Sequence, residues 1–378
     1  MAAHNKLVLA NVNRLKDHMA ARQLSAVVVR SGKNFAYLSG VAFPGTLARH
    51  LDLTDSPRDV YLVWPLEGEP IIVTSPLGKP VIERDSWISQ IEVVEDYAES
   101  PLVKLVNVIK ELGLETEKIG LEKNYISAMK WAELSELLPG NSLSDCTDMM
   151  NSVRWVKTEA EILLIKRAAD IQDEVYLEVF PTISPGDSER NIHSRLVQSC
   201  IQKGCHFVHG ILTSSRNPSM YLGESDLVVE QGDIIRTDYV SYLQGYPGHQ
   251  SRMVCVGQPT KEQERTYQKY LSIYLNIIDK CQIGTKFSEL YFYGREKLLD
   301  NGFPHNPSSF LGHSIGAWWH QQEPFLVSGW CGEIEEGMVL AIEPYVDYWH
   351  LQDLVHITRE GPQILSSKFD ISQLFVVN

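Results

Sequence analysis

Gly232-Asp-Ile-Ile-Arg-Thr-Asp238 and Gly245-Tyr-Pro-Gly-His-Gln-Ser-Arg252 decide how this chain is read. Ile234 to Tyr242 is rich in β-branched and aromatic residues and reads as a strand, Gly245 to Gly248 as a turn, and Gln250 to Val256 as a second strand. Such a hairpin puts Asp238 and His249 on facing strands, where cross-strand Cβ atoms lie about 4.5–5.5 Å apart. Inward-facing groups of this kind need each other or an ion, because an unpaired buried charge is too costly to keep. From the pair alone, a metal-free Asp–His hydrogen bond and a shared ion are equally open. Further along, Gly312-His313-Ser-Ile-Gly316, Glu336-Gly-Met-Val-Leu-Ala-Ile-Glu343-Pro344 and His350-Leu-Gln352-Asp-Leu-Val-His-Ile-Thr358 add imidazole, carboxylate and amide side chains. The small residues around His313 let backbone approach a ligand closely.

The order of these segments resembles the superfamily of prolidase, aminopeptidase P, methionine aminopeptidase and creatinase, which share the pita-bread fold. In its metal-bearing members five ligand positions read Asp, Asp, His, Glu, Glu; the matching positions here are Asp238, His249, His313, Glu343 and Gln352. A Lys-x-x-x-Glu helix start at Lys157 to Glu161 and a Pro-Gly-x-x-Glu turn at Pro185 to Glu189 resemble the opening of the family's catalytic domain. The resemblance implies an α/β (α+β) protein of two domains. Residues 1–155 would form a creatinase/prolidase-like N-terminal domain and residues 156–378 a pita-bread catalytic domain.

Two departures shape the expected chemistry. A ligand that bridges two ions must be a two-oxygen anion, and neither the imidazole of His249 nor the amide of Gln352 is one. A tightly coupled metal pair is therefore not expected. Asp238, His249, His313, Glu343 and Gln352 suit one divalent transition ion (Mn, Fe, Zn or Co) with an open position for water, or a metal-free site in which histidines and carboxylates divide the acid and base roles. Creatinase resembles the second case. His320 matches the family's second histidine, which the resemblance makes a substrate or transition-state hydrogen-bond donor; beside Trp318 and Trp319 it reads equally as a core residue. The family also carries a histidine about a dozen residues before the Gly-Asp, and here Tyr221 is the nearest equivalent, with His206 and His209 as substitutes. Arg58 precedes a strand where creatinase carries an arginine that grips a substrate carboxylate in the partner subunit's site; Arg49 is its competitor, and a solvated surface arginine the plainer reading of each. Trp318, Trp319, Phe325, Trp330, Tyr345, Tyr348 and Trp349 are candidates to wall the pocket.

Composition sets outer bounds. A length of 378 residues allows two ordinary domains, and a formal net charge of -14 argues against nucleic acid or an anionic membrane as partner, since phosphate binding relies on Lys and Arg. No signal peptide or stretch of roughly 18 apolar residues stands out, so a cytoplasmic, soluble chain is expected. Six cysteines without a CxxC pair signal neither a zinc ribbon nor a redox dithiol. Ahead of the catalytic half, an amphipathic helix from Asn11 to Gln23 and strands at Ser25–Arg30, Asp59–Trp64, Pro70–Thr74 and Lys118–Glu122 give an α/β order. Thr158-Glu-Ala-Glu161 reads as a capping box. The expected function is hydrolysis of a C–N bond in a small polar substrate (an amino-acid derivative, amidine, lactam or dipeptide) by a homodimer. An Xaa-Pro dipeptidase or aminopeptidase, and an inactive binding module of the same fold, are the alternatives.

Overall fold

The computed structural model describes residues 6, 8–43, 58–140, 142–218, 223–303 and 309–377. They divide into two compact units, residues 1–160 and 161–378. In the first, a sheet of order β4-β3-β2-β1-β5-β6 contains β1 (Ala26–Arg30), β2 (Tyr61–Pro65), β3 (Ile71–Thr74), β4 (Gln90–Val93), β5 (Lys118–Leu121) and β6 (Ser142–Asp145). β1 runs parallel to β5 and β5 to β6, whereas β2 is antiparallel to both β1 and β3. The unbroken apolar run of β1 follows from this: Ala26, Val27, Val28 and Val29 are all buried, as in a strand covered on both faces. The helix Val12–Ala21 starts where the Asn11 side chain accepts the Arg14 amide, and it buries Leu15 and Met19. In the helix Pro101–Glu111, Leu102, Leu105, Val106 and Ile109 recur at helical spacing and are buried.

The second unit holds β7 (Phe207–Ser214), β8 (Ile234–Leu243), β9 (Tyr246–Gln250), β10 (Met253–Val256), β11 (Gly312–Ser314), β12 (Gln322–Phe325), β13 (Val339–Ile342), β14 (Asp353–Thr358), β15 (Gly361–Ile364) and β16 (Phe375–Val377). They form two five-stranded sheets, β16-β10-β8-β7 with β9 also on β8, and β12-β11-β13-β14-β15. All pairings are antiparallel except β10 with β16. A bridge between Ser251 and Gln352 joins the sheets. Long helices, Glu159–Val179, Glu189–Gln202, Lys261–Asp279 and Phe287–Asp300, accompany them, which is the expected mixed α/β architecture with a pita-bread half. At the start of the first of these helices, Glu161 accepts the Tyr246 hydroxyl at 3.0 Å. Among the described residues no helix is long and apolar enough to cross a membrane.

Candidate active site

Register places the first pair of side chains. Val240 on β8 faces His249 on β9, and Asp238, two residues along β8, projects from the same face as Val240, so Asp238 and His249 are diagonal neighbours. His249 Nε2 lies 3.0 Å from Asp238 Oδ1. The turn is tighter than the sequence suggests: Leu243 pairs with Tyr246, and Gln244 and Gly245 alone make the connection, with φ of 51° and 82°. That is the left-handed pair of a two-residue hairpin. Pro247 and Gly248, expected in the turn, belong to β9. Among the described residues β9 pairs as a strand with β8 alone, so a proline without an amide proton is tolerated there. Gly248 is required because a Cβ would meet the Ala168 carbonyl oxygen at 2.3 Å.

The second sheet repeats the device. His313 on β11 faces Ala341 on β13, and Glu343, two residues beyond Ala341, donates its amide to the Leu311 carbonyl at 2.9 Å, so His313 and Glu343 are again diagonal. His313 Nε2 is 3.0 Å from Glu343 Oε1. Its Nδ1 donates to the Ser314 carbonyl at 2.8 Å. Where the sheets meet, Gln352 Nε2 donates to His249 Nδ1 at 2.9 Å and Gln352 Oε1 accepts from Ser251 Oγ at 3.2 Å. With Nδ1 accepting, neutral His249 carries its proton on Nε2, directed at Asp238. Buried Arg252 fixes this junction, donating through Nη1 to the carbonyls of Ser251 (3.0 Å) and Gln352 (2.7 Å) and through Nη2 to Asp353 (2.6 Å) and Asp173 (3.2 Å).

Burial alone would raise the Asp238 carboxyl, but the His249 hydrogen bond and the neighbouring imidazoles hold it well below the carboxylate range. Glu343 behaves alike: burial raises it, while the charge and hydrogen bond of His313 leave it at about 2. Burial lowers His313, yet the Glu343 carboxylate outweighs that and raises it. His320 is pushed down, first by burial and then by His249, His313 and His209. His209 falls to about 4, mainly by burial. Tyr242 Oη and His209 Nε2 lie 3.2 and 3.3 Å from His320 Nδ1; with the Tyr242 hydroxyl donating to Nδ1, neutral His320 holds its proton on Nε2.

His209, Asp238, His249, His313, His320 and Glu343 line a cavity of about 410 Å³ together with Gly210, Ile211, Val240, Ser309, Phe310, Gln321 and Tyr345. Asp238, His249, His313, His320 and Glu343 are thus brought to one place; Gln352 stands behind His249. Of the two substitute histidines, His209 reaches the cavity, whereas the described lining does not include His206. The aromatic wall is smaller than expected, with only Tyr345 of that group on the lining, beside Phe310. Trp319 instead stacks on His209, ring centroids 5.6 Å apart, and Trp330 packs edge-on against Phe325. Arg58, in the first unit, lies 3.3 Å from Asp96 and over the Tyr97 ring. Tyr221 and Arg49 fall outside the described residues.

The donor chemistry fits one divalent ion and not a bridged pair. His249 has both ring nitrogens engaged by protein and Gln352 is neutral, so neither position offers the anion a bridge needs. His313, with Nδ1 tied to a carbonyl and Nε2 facing a carboxylate, has the arrangement typical of an imidazole ligand. Sequence reasoning missed His350. Its ring, Asp238 and Glu343 each offer an atom within 4.8 Å of the others, a set that does not include His313. The available signal was its position two residues before Gln352, the spacing that puts two strand residues on one side.

A model described as metallopeptidase family M24 matches residues 164–362, and one described as the creatinase/prolidase N-terminal domain matches residues 11–156. The chain is 24% identical over 362 residues to an Xaa-Pro dipeptidase of Lactobacillus delbrueckii subsp. lactis, covering 93% of this chain and 95% of the relative. It is 23% identical over 369 residues to an Xaa-Pro dipeptidase of Pyrococcus horikoshii, covering 94% and 96%. Among solved structures, the X-Pro aminopeptidase from Thermotoga maritima superposes with a TM-score of 0.81 at 22% identity, covering 97% of this chain and 99% of the other. The prolidase from Thermococcus sibiricus gives 0.81 at 22% identity, covering 97% and 98%.

Proposed function

Because the chain belongs to metallopeptidase family M24 and carries the creatinase/prolidase N-terminal domain ahead of it, we propose that it hydrolyses a C–N bond in a small polar substrate bound in the cavity above Asp238 and Glu343. An amino-acid derivative, amidine, lactam or dipeptide fits a cavity of about 410 Å³. The observation that carries the reading is the His313–Glu343 pair at 3.0 Å, an imidazole whose other nitrogen is already committed and a carboxylate held ionised inside a cavity. Asp238, His313 and Glu343 would hold a single divalent ion, whose Lewis acidity lowers the pKa of water to near neutrality. Glu343 keeps its charge and orients the attacking water by accepting its proton's hydrogen bond. His320, neutral with its proton on Nε2, donates to the oxygen or nitrogen on which charge develops. Tyr242 holds that ring in place through Nδ1. Asp238, accepting the His249 Nε2 proton on one oxygen, is fixed in orientation.

The proposal includes a homodimer in which Arg58 grips a substrate carboxylate, and a cytoplasmic location, which the six unpaired cysteines suit. The relatives named Xaa-Pro dipeptidase make Xaa-Pro dipeptides the first substrates to try. The test is turnover by the purified chain of a panel of dipeptides with and without proline, amidines and lactams, before and after chelation and with Mn, Zn or Co restored. Cleavage of at least one C–N bond is expected. Absence of turnover across the panel under every metal condition would sink the reading.

A further inference from the structure

We propose that His350 is a metal ligand, and that with Asp238 and Glu343 it builds a one-ion centre assembled differently from the five-position ligand order; this rests on the hydrolytic reading above. His350 is wholly buried. Its Nε2 is 3.7 Å from Glu343 Oε2, too far for a hydrogen bond, and 3.4 Å from Ser251 Oγ, while Nδ1 is buried with no hydrogen-bond partner among the described residues. A buried imidazole so poorly satisfied costs free energy unless something else engages it. Its neighbours say what that is. Asp238, Glu343 and His350 each present a ligand atom, all within 4.8 Å of one another. Donors about 2.0–2.2 Å from a zinc-class ion lie no more than about 4.4 Å apart, so a small contraction turns the trio into a ligand set.

The two altered positions explain why a new ligand is wanted. Gln352 and His249 are hydrogen-bonded to each other at 2.9 Å, and His249 covers Asp238 Oδ1 at 3.0 Å. They thereby close the place a second ion would take and leave Asp238 Oδ2 for the first. Charge agrees. Four carboxylates balance two divalent ions, whereas Asp238 and Glu343 balance one, and a neutral imidazole adds a ligand without disturbing that balance. With His313 Nε2, now 3.0 Å from Glu343 Oε1, turned to the same ion as in the hydrolytic reading, the centre would hold two imidazoles and two carboxylates, a set suited to zinc, cobalt or manganese.

The experiment loads the full chain with Zn²⁺ alone, counts imidazole scatterers by X-ray absorption at the zinc edge, and measures Zn²⁺ affinity of wild type, His350→Ala and His350→Gln by competition with a chelator. One ion with two imidazoles is expected, and both variants should lose at least about tenfold in affinity, the lower end for disturbing a metal centre. One imidazole per ion in wild type overturns the inference, and this holds even if neither variant folds. Unchanged affinity in folded variants overturns it too. Turnover on the substrate panel is scored separately, so a chain that cleaves a C–N bond but holds no zinc, or holds it without His350, refutes this assignment and leaves the hydrolytic reading standing.

Discussion

His313 commits its Nδ1 proton to the Ser314 carbonyl at 2.8 Å, and its usefulness depends on that bond. Only Nε2 remains to meet Glu343, so the ring has one orientation and one working nitrogen. Replacing His313 by Ala or Glu343 by Gln should lower kcat by at least about a hundredfold on whichever substrate is cleaved. Steady-state kinetics on both variants check this, and activity within a few-fold of wild type in each would mean that the working groups lie elsewhere. At this scale the sequence was informative where flanking residues were distinctive. Gly312, Gly316 and Pro344 marked His313 and Glu343, and the hairpin marked Asp238 and His249. Its one hint of His350 was a place two residues before Gln352, and the approach of that imidazole to Asp238 depends on the Ser251–Gln352 bridge between residues a hundred positions apart, which local spacing does not reveal. It was silent on the direction of the His249–Gln352 hydrogen bond, which turns two apparent ligands into one another's partners.

The β8–β9 hairpin carries the site, and its turn is its most exacting element. Gly245 has φ 82°, so Gly245→Ala should destabilise the fold by roughly 1 kcal/mol or more, read as a lower denaturant midpoint at unchanged m-value. No loss would mean the turn is not held left-handed. A slip of one residue would carry His249 to the opposite face. The sequence placed the turn two residues late because Pro247 and Gly248 are ordinary turn residues; here an edge position and close packing on Ala168 explain them. A second element carries a pH dependence. Glu122, at the end of β5, is buried with Asn34 donating to it, and burial lifts its carboxyl from an ordinary 4.5 to about 7. The folded state thus binds this proton more tightly than the unfolded one. Its stabilising effect is complete below about pH 4.5 and is lost as pH rises through about 7. Glu122→Gln should therefore raise stability at pH 8 by up to about 3 kcal/mol and change little at pH 4. Thermal melts at the two pH values decide it, and an equal effect at both would show that the carboxyl does not titrate this way.

For the whole molecule, periodicity and turn chemistry made the α/β order of the first half and the paired strand segments of the second readable from sequence, and the two-domain creatinase/prolidase-like fold came from the resemblance of the motifs around Asp238, His313 and Glu343. Assembly was not readable in the same way, because a residue such as Arg58 looks like any strand-edge arginine until its surroundings are known. The dimeric proposal predicts that Arg58→Ala raises KM for a carboxylate-bearing substrate with a smaller effect on kcat. Mixing Arg58→Ala with His313→Ala subunits should then restore part of the activity; hybrids that form but stay inactive would assign Arg58 to its own subunit or to no site. The central claim is that hydrolysis proceeds at a site with room for at most one ion, since His249 and Gln352 have replaced the bridging acids with a neutral hydrogen-bonded pair. It is tested most directly by titrating metal-free protein with Mn²⁺ or Zn²⁺ while recording turnover and the ions bound per chain in the same samples. Turnover should reach its maximum with no more than one ion per chain. Activity that appears only as a second ion binds, about 3.5–4 Å from the first as in two-metal hydrolases, would contradict it.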